Sequence, residues 1–125
     1  MAKQKHLQNI ILGLKRILHA FKFSYDGFIA TLKSEPAFRQ DLVVCVFFTP
    51  IAFMLDVTAT QRVLLISSLL FILFAECVNT AIETIIDRIS TSLHSLSKKA
   101  KDIGSLLVLM AFINAMLTWT IILWD

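Results

Sequence analysis

Three carboxylates and an amide stand within the twelve residues "ECVNTAIETIID": Glu76, Asn79, Glu83 and Asp87. The text just before them, "LLFILFA" from Leu69 to Ala75, is pure hydrocarbon. At about 100° per residue these four side chains, with Thr80, fall on one helix stripe about 100° wide. Val78, Ile82 and Ile85 occupy the other side, so the helix shows lipid one face and a polar interior the other. A charged group near the bilayer middle costs at least about 2.5–3.5 kcal/mol, and such residues ordinarily mark an ion, proton or substrate path. Packing, with hydrogen bonds or a neighbouring subunit's lysines, accounts for one such acid more readily than for a whole stripe. Glu76 and Glu83 are about 10 Å apart along the helix axis, too far to grip one ion together and well placed for two steps of one reaction.

Two further clusters carry matching chemistry. "KSEPAFRQD" supplies Glu35, Arg39 and Asp41, and "KKAKDIGS" supplies Lys98, Lys99, Lys101, Asp102 and Ser105. Carboxylate oxygens suit Mg²⁺, and lysines suit the phosphates that bring Mg²⁺ along. A lysine run at a membrane boundary is by itself an orientation signal; its further weight comes from the acids beside it.

Positioning these groups falls to membrane helices. The 125 residues are 57% hydrophobic, with a mean hydropathy of +0.75, which is membrane composition. Ile103 to Trp124 holds no charge over about 33 Å of helix, enough for a hydrocarbon core of about 30 Å. The expected spans are about 36–55, 62–86 and 103–124, with Arg39 and Asp41 left near the headgroups and Pro50 a place for a kink. Ahead of them Leu7, Ile10, Ile11, Leu14, Ile17, Leu18 and Phe21 recur at helical spacing among Lys15, Arg16, His19 and Lys22. This pattern predicts amphipathic surface helices over about 5–34, loosened at Gly27, with Ser24 a candidate N-cap. Before the first span Pro36 suits a first helical turn.

Net charge is +3, and of twelve basic residues seven precede Leu42, four lie between Asp87 and Asp102, and Arg62 alone serves the first connection. By the positive-inside rule the N-terminus and the second connection are cytoplasmic, and Asp125 faces outward. All three polar clusters then meet at one membrane face. The basic residues read as membrane orientation, not as a nucleic-acid surface. The basic start runs into an amphipathic pattern, unlike a signal peptide. Cys45 and Cys77 lie in spans without metal-ligand spacing and read as small hydrophobes. The expectation is a single membrane domain over 1–125.

In "ECVNTAIETIIDR", "EPAFRQD" and "KKAKDIGS" the chain resembles the prokaryotic diacylglycerol kinase family, from about Arg16 to Trp124. The acid stripe has the form Glu-x-x-Asn-x-Ala-x-Glu-x-x-x-Asp, Gln61 to Ser68 contributes "QRVLLISS", and Lys101 to Ser105 reads Lys-Asp-x-Gly-Ser. The resemblance implies an all-α inner-membrane homotrimer, an N-terminal surface helix and three spans per protomer, and active sites shared between neighbours. It also implies ATP- and Mg²⁺-dependent phosphorylation of the sn-3 hydroxyl of diacylglycerol to phosphatidic acid. Carried over position by position, Glu76 looks like the general base, Glu35 and Glu83 the ligands of the metal on ATP, and Asn79 and Asp87 supporting groups. Arg16, Phe23, His94, Lys101 and Asp102 look like nucleotide positions. Arg16, Ser24, Arg39, Arg62, Ser105 and Trp119, with Glu76, look like lipid-side positions. Phe23 stands where the family often has tyrosine, and Asp41 where it often has glutamate.

The residues fit that chemistry on their own terms. An alcohol attacks a phosphoryl group poorly unless a base takes its proton, and Glu76, deepest in the hydrocarbon, is the better base. Glu83, nearer the cytoplasm, is the better metal ligand, and most phosphoryl-transfer catalysis is neutralisation of the charge on the moving group. Two other functions use the same stripe: an undecaprenol kinase of the same fold, and a small non-enzymatic channel lined by an acid ring. The channel leaves Glu35, Lys101 and Asp102 without work.

Overall fold

The computed structural model describes residues 2–124, with side chains from residue 8 onward. Every regular element in this range is helical: α1 Ala2–Ser34, α2 Pro36–Met54, α3 Ala59–Ile89 and α4 Ser95–Trp124. They form two compact units, Met1–Ser34 and Glu35–Asp125. Three helices, α2, α3 and α4, are long and apolar enough to cross a membrane.

α1 is one unbroken helix, and here the sequence expectation fails in detail. Gly27 sits within it and Ser24 is no N-cap: the Ser24 hydroxyl donates to the Ala20 carbonyl one turn back at 2.9 Å. One glycine in a helix interior costs only about 1 kcal/mol against alanine, too little to end a helix flanked by good formers. A mid-helix serine finds its own helix's carbonyl before it finds a free N–H.

The start of α2 follows its sequence signals. Glu35 is extended (φ −106°, ψ 107°) and Pro36 opens the first turn, where its missing N–H costs nothing. The helix runs through Pro50 to Met54, with the Thr49 hydroxyl donating to the Cys45 carbonyl at 2.7 Å. α3 and α4 begin well before their uncharged stretches do. Thr58 and Gln61 form a reciprocal capping box that starts α3, because backbone hydrogen bonding does not stop where the hydrocarbon stops.

α3 is the central element of the second unit and packs on both α2 and α4. Against α2, the Cys45 thiol donates to the Leu69 carbonyl at 3.3 Å and Arg62 Nε donates to the Ala52 carbonyl at 3.1 Å. Both pairs lie on one antiparallel register; carried toward the start of α2 it sets Phe38 opposite Glu76 and Glu35 opposite Asn79. Against α4, Ile72 and Ala75 pack on Ala111 and Ala115, with Val108 and Phe112 around them. Gly104, Ala111 and Ala115 are the buried residues of α4, and side chains this small let two helix backbones approach closely where no hydrophobic effect presses them together.

Candidate active site

Glu76 emerges buried, 5% exposed, directly after the hydrocarbon run of α3. It comes one residue after the buried Ala75 and four after Ile72, so the face that packs the core also carries the acid inward. Asp41 on α2 is nearly as enclosed, at 8%. The negative charge of Asp41 reaches Glu76 most strongly, followed by that of Glu83 and Glu35. Four carboxylates from two helices thus converge, as the antiparallel register requires. Neither Asp41 nor Glu76 makes an ion pair among the described residues.

Asp41 turns inward, toward the other helices. An aspartate is too short to snorkel, and Asp41 shares the inward face of α2 with Phe38 and Cys45, three residues before it and four after. That spacing was visible in the sequence and would have found it.

Toward the end of α3 the acids meet the lysines. Lys101 Nζ donates to Asp87 Oδ1 at 2.6 Å across the α3–α4 contact and also feels Glu83. Lys98 holds Asp102 one turn along α4, also at 2.6 Å. These residues and His94 line a cavity of about 220 Å³ with the hydroxyl-bearing Ser90, Thr91, Ser92 and Ser97. His94 Nδ1 accepts from the Leu96 N–H at 3.2 Å. Three positions carried over as nucleotide contacts, His94, Lys101 and Asp102, therefore share one polar recess beside the acid stripe. Asn79 lies between Glu76 and Glu83, its amide oxygen buried against Gly104 without a hydrogen-bond partner; the Thr80 hydroxyl is buried and unpartnered too. Ser105 follows Gly104 and is exposed, and Arg39 is exposed one turn into α2.

Arg62 and Trp119 stand at the other end of the bundle. Arg62 donates to the Ala52 and Leu55 carbonyls at 3.1 and 3.0 Å, closing the turn between α2 and α3. Trp119 meets Phe48 edge-on, ring centroids 5.2 Å apart, and lines an apolar groove of about 290 Å³ with Leu69, Ile72 and Ala115. Its indole N–H is buried and unpartnered. Arg16, Phe23 and Ser24 lie on α1, where the Phe23 ring tilts against His19 at 6.2 Å.

Among the described residues no three His, Cys, Asp or Glu side chains form a metal-holding group. A Mg²⁺ that arrives on a nucleotide needs only one or two carboxylates, the phosphates and water completing its shell. The carboxylate oxygens of the acid face are of the hard type that Mg²⁺ takes.

Residues 22–123 match the family model of prokaryotic diacylglycerol kinase. The chain belongs to the prokaryotic diacylglycerol kinase family. It is 45% identical over 119 residues to a diacylglycerol kinase of Escherichia coli strain K12, a match covering 95% of this chain and 98% of that one. A diacylglycerol kinase of Pseudomonas aeruginosa is 45% identical over 111 residues, covering 89% and 90% of the two chains. One from Haemophilus influenzae is 37% identical over 107 residues, 86% and 91% of the chains. As a member of this kinase family the chain is an enzyme, and all three of its polar clusters lie inside the matched region.

Proposed function

We propose that this protein transfers the γ-phosphoryl group of MgATP to the sn-3 hydroxyl of diacylglycerol, giving phosphatidic acid, at the cytoplasmic face of a bacterial inner membrane. The observation that carries this reading is the burial of Glu76 among other carboxylates, three turns along α3 from the Asp87 that pairs with Lys101, in a chain of the diacylglycerol kinase family.

In this mechanism Glu76 accepts the proton of the lipid hydroxyl as its oxygen bonds to the γ-phosphorus. The bond from that phosphorus to the bridging oxygen breaks, and ADP leaves with the electron pair. Glu35 and Glu83 would hold the Mg²⁺ that arrives on ATP, which would supply charge neutralisation; Lys101 neutralises charge on the phosphates, and His94 and Asp102 border the nucleotide in the recess at the start of α4. Lipid reaches Glu76 from the bilayer and nucleotide from the water, which is why a base buried in hydrocarbon and lysines at a polar recess belong to one site. Charge stabilisation and proton acceptance are each effective in such a low-dielectric place.

The protein works as a homotrimer in this reading, α1 lying amphipathically on the cytoplasmic surface and neighbouring protomers sharing each site. The charge bias supports a cytoplasmic N-terminus and a periplasmic C-terminus. Phosphate transfer from labelled ATP, measured side by side on diacylglycerol and undecaprenol in mixed micelles, tests the substrate. Transfer to diacylglycerol with little to undecaprenol is expected; the reverse preference would assign the same chemistry to the polyprenol, and transfer to neither would end the kinase reading.

A further inference from the structure

Gly104 has no side chain to offer the site, yet it is one of only three buried residues of α4 among those described. A methyl group built on it would collide with the Asn79 amide oxygen, with Asn79 Cγ next at 3.3 Å and Asn79 Cα at 3.6 Å. That oxygen is buried and has no hydrogen-bond partner, a costly arrangement for a carbonyl unless the position serves something. The same sealing does not extend to the amide nitrogen. Asn79 touches Gly104 on the α4 side. Asn79 stands on α3 between the levels of Glu76 and Glu83.

We propose that Gly104 is a positioning residue: its missing side chain lets the Asn79 carboxamide seat its oxygen on α4 and so present its NH₂ to the transferring phosphoryl group. This rests on the phosphoryl-transfer reading of the acid face. An amide N–H is a donor that anionic phosphoryl oxygens take, and a donor preset where charge develops needs no reorganisation during reaction. The contact is unusual in how little of the fold depends on it. Only the far end of one flexible side chain obstructs a methyl at position 104, since 3.6 Å to the Asn79 backbone is an ordinary van der Waals distance. Gly104→Ala therefore turns the carboxamide without parting the helices.

The test compares Gly104→Ala, Asn79→Ala and the double variant for kcat, for KM of both substrates, and for the thermal midpoint of the purified assembly. Gly104→Ala is expected to lower kcat about 10–100-fold, the range for a displaced or missing donor, with both KM values within about twofold and the midpoint near wild type. The double variant should be no slower than Asn79→Ala, because the glycine acts only through the amide. A wild-type kcat in Gly104→Ala alongside a slow Asn79→Ala overturns the proposal. So does a Gly104→Ala protein that fails to assemble while the double variant assembles, since its effect would then be packing alone. If Asn79→Ala itself keeps full kcat, the fault lies earlier, in placing Asn79 at the reacting phosphoryl.

Discussion

Ala111 is 0% exposed, pressed between α3 and α4 against Ile72 and Ala75, and a leucine there tests whether close helix approach sets the chemistry. Helix axes stand about 8–10 Å apart, the lower end belonging to small contact residues, so a leucine in this contact asks for roughly 2 Å more. Overpacking of this kind costs about 1–3 kcal/mol. The Lys101–Asp87 pair, with side chains 38% and 53% exposed, is solvated and resists only weakly. Packing wins, and the pair opens from its 2.6 Å to roughly 4–5 Å, outside the hydrogen-bond range of about 3.2 Å. The same movement lifts Gly104 off Asn79. Because a misplacement of about 1 Å can cost 10²-fold, Ala111→Leu should lose about two orders of magnitude in kcat with every charged group intact. Ala111→Gly, which adds no volume, should lose about 1 kcal/mol of stability and little rate. Steady-state turnover in mixed micelles, with size-exclusion profiles of both variants, is the assay. An Ala111→Leu protein that assembles normally and turns over at the wild-type rate would refute the claim that the α3–α4 contact positions the site.

The other predictions concern the metal ligands and the distant arginine. Glu35→Gln and Glu83→Gln should each weaken MgATP binding by calorimetry in Mg²⁺, since each removes a hard oxygen ligand; unchanged binding in both would make the metal assignment wrong. Arg62→Met should lower the thermal stability of the assembly by about 1–3 kcal/mol, the range for a charged hydrogen bond, because the Ala52 and Leu55 carbonyls lose their donor. An unchanged denaturation midpoint would show that water replaces the guanidinium at no cost.

Much of the acid face was legible because a carboxylate in hydrocarbon is conspicuous and helical spacing tells which residues share a side. Glu76, Asn79, Glu83 and Asp87 needed nothing more than that. Helix α2 was harder: Asp41 sits between the exposed Arg39 and a long apolar run, so it reads as the polar edge of a span, and only the shared face with Phe38 and Cys45 shows it turned inward. Gly104 was not legible as part of the site, since its role depends on which residue of α3 lies across from it, and that register is set by tertiary packing. Gly27 erred in the opposite direction, a local signal for a break overridden by the propensity of the residues on either side. The cross-helix Lys101–Asp87 pair spans two elements and follows from neither alone.

The most direct test of the central claim is the turnover of Glu76→Gln with diacylglycerol and MgATP in mixed micelles, measured on protein whose assembly matches wild type. Glutamine keeps the shape of the buried side chain and removes the proton acceptor, and loss of a general base typically costs about 10²–10⁴-fold. A kcat lower by that factor is expected, with MgATP affinity held nearer wild type than in the Glu35 and Glu83 variants. Near-wild-type turnover at saturating lipid would contradict it.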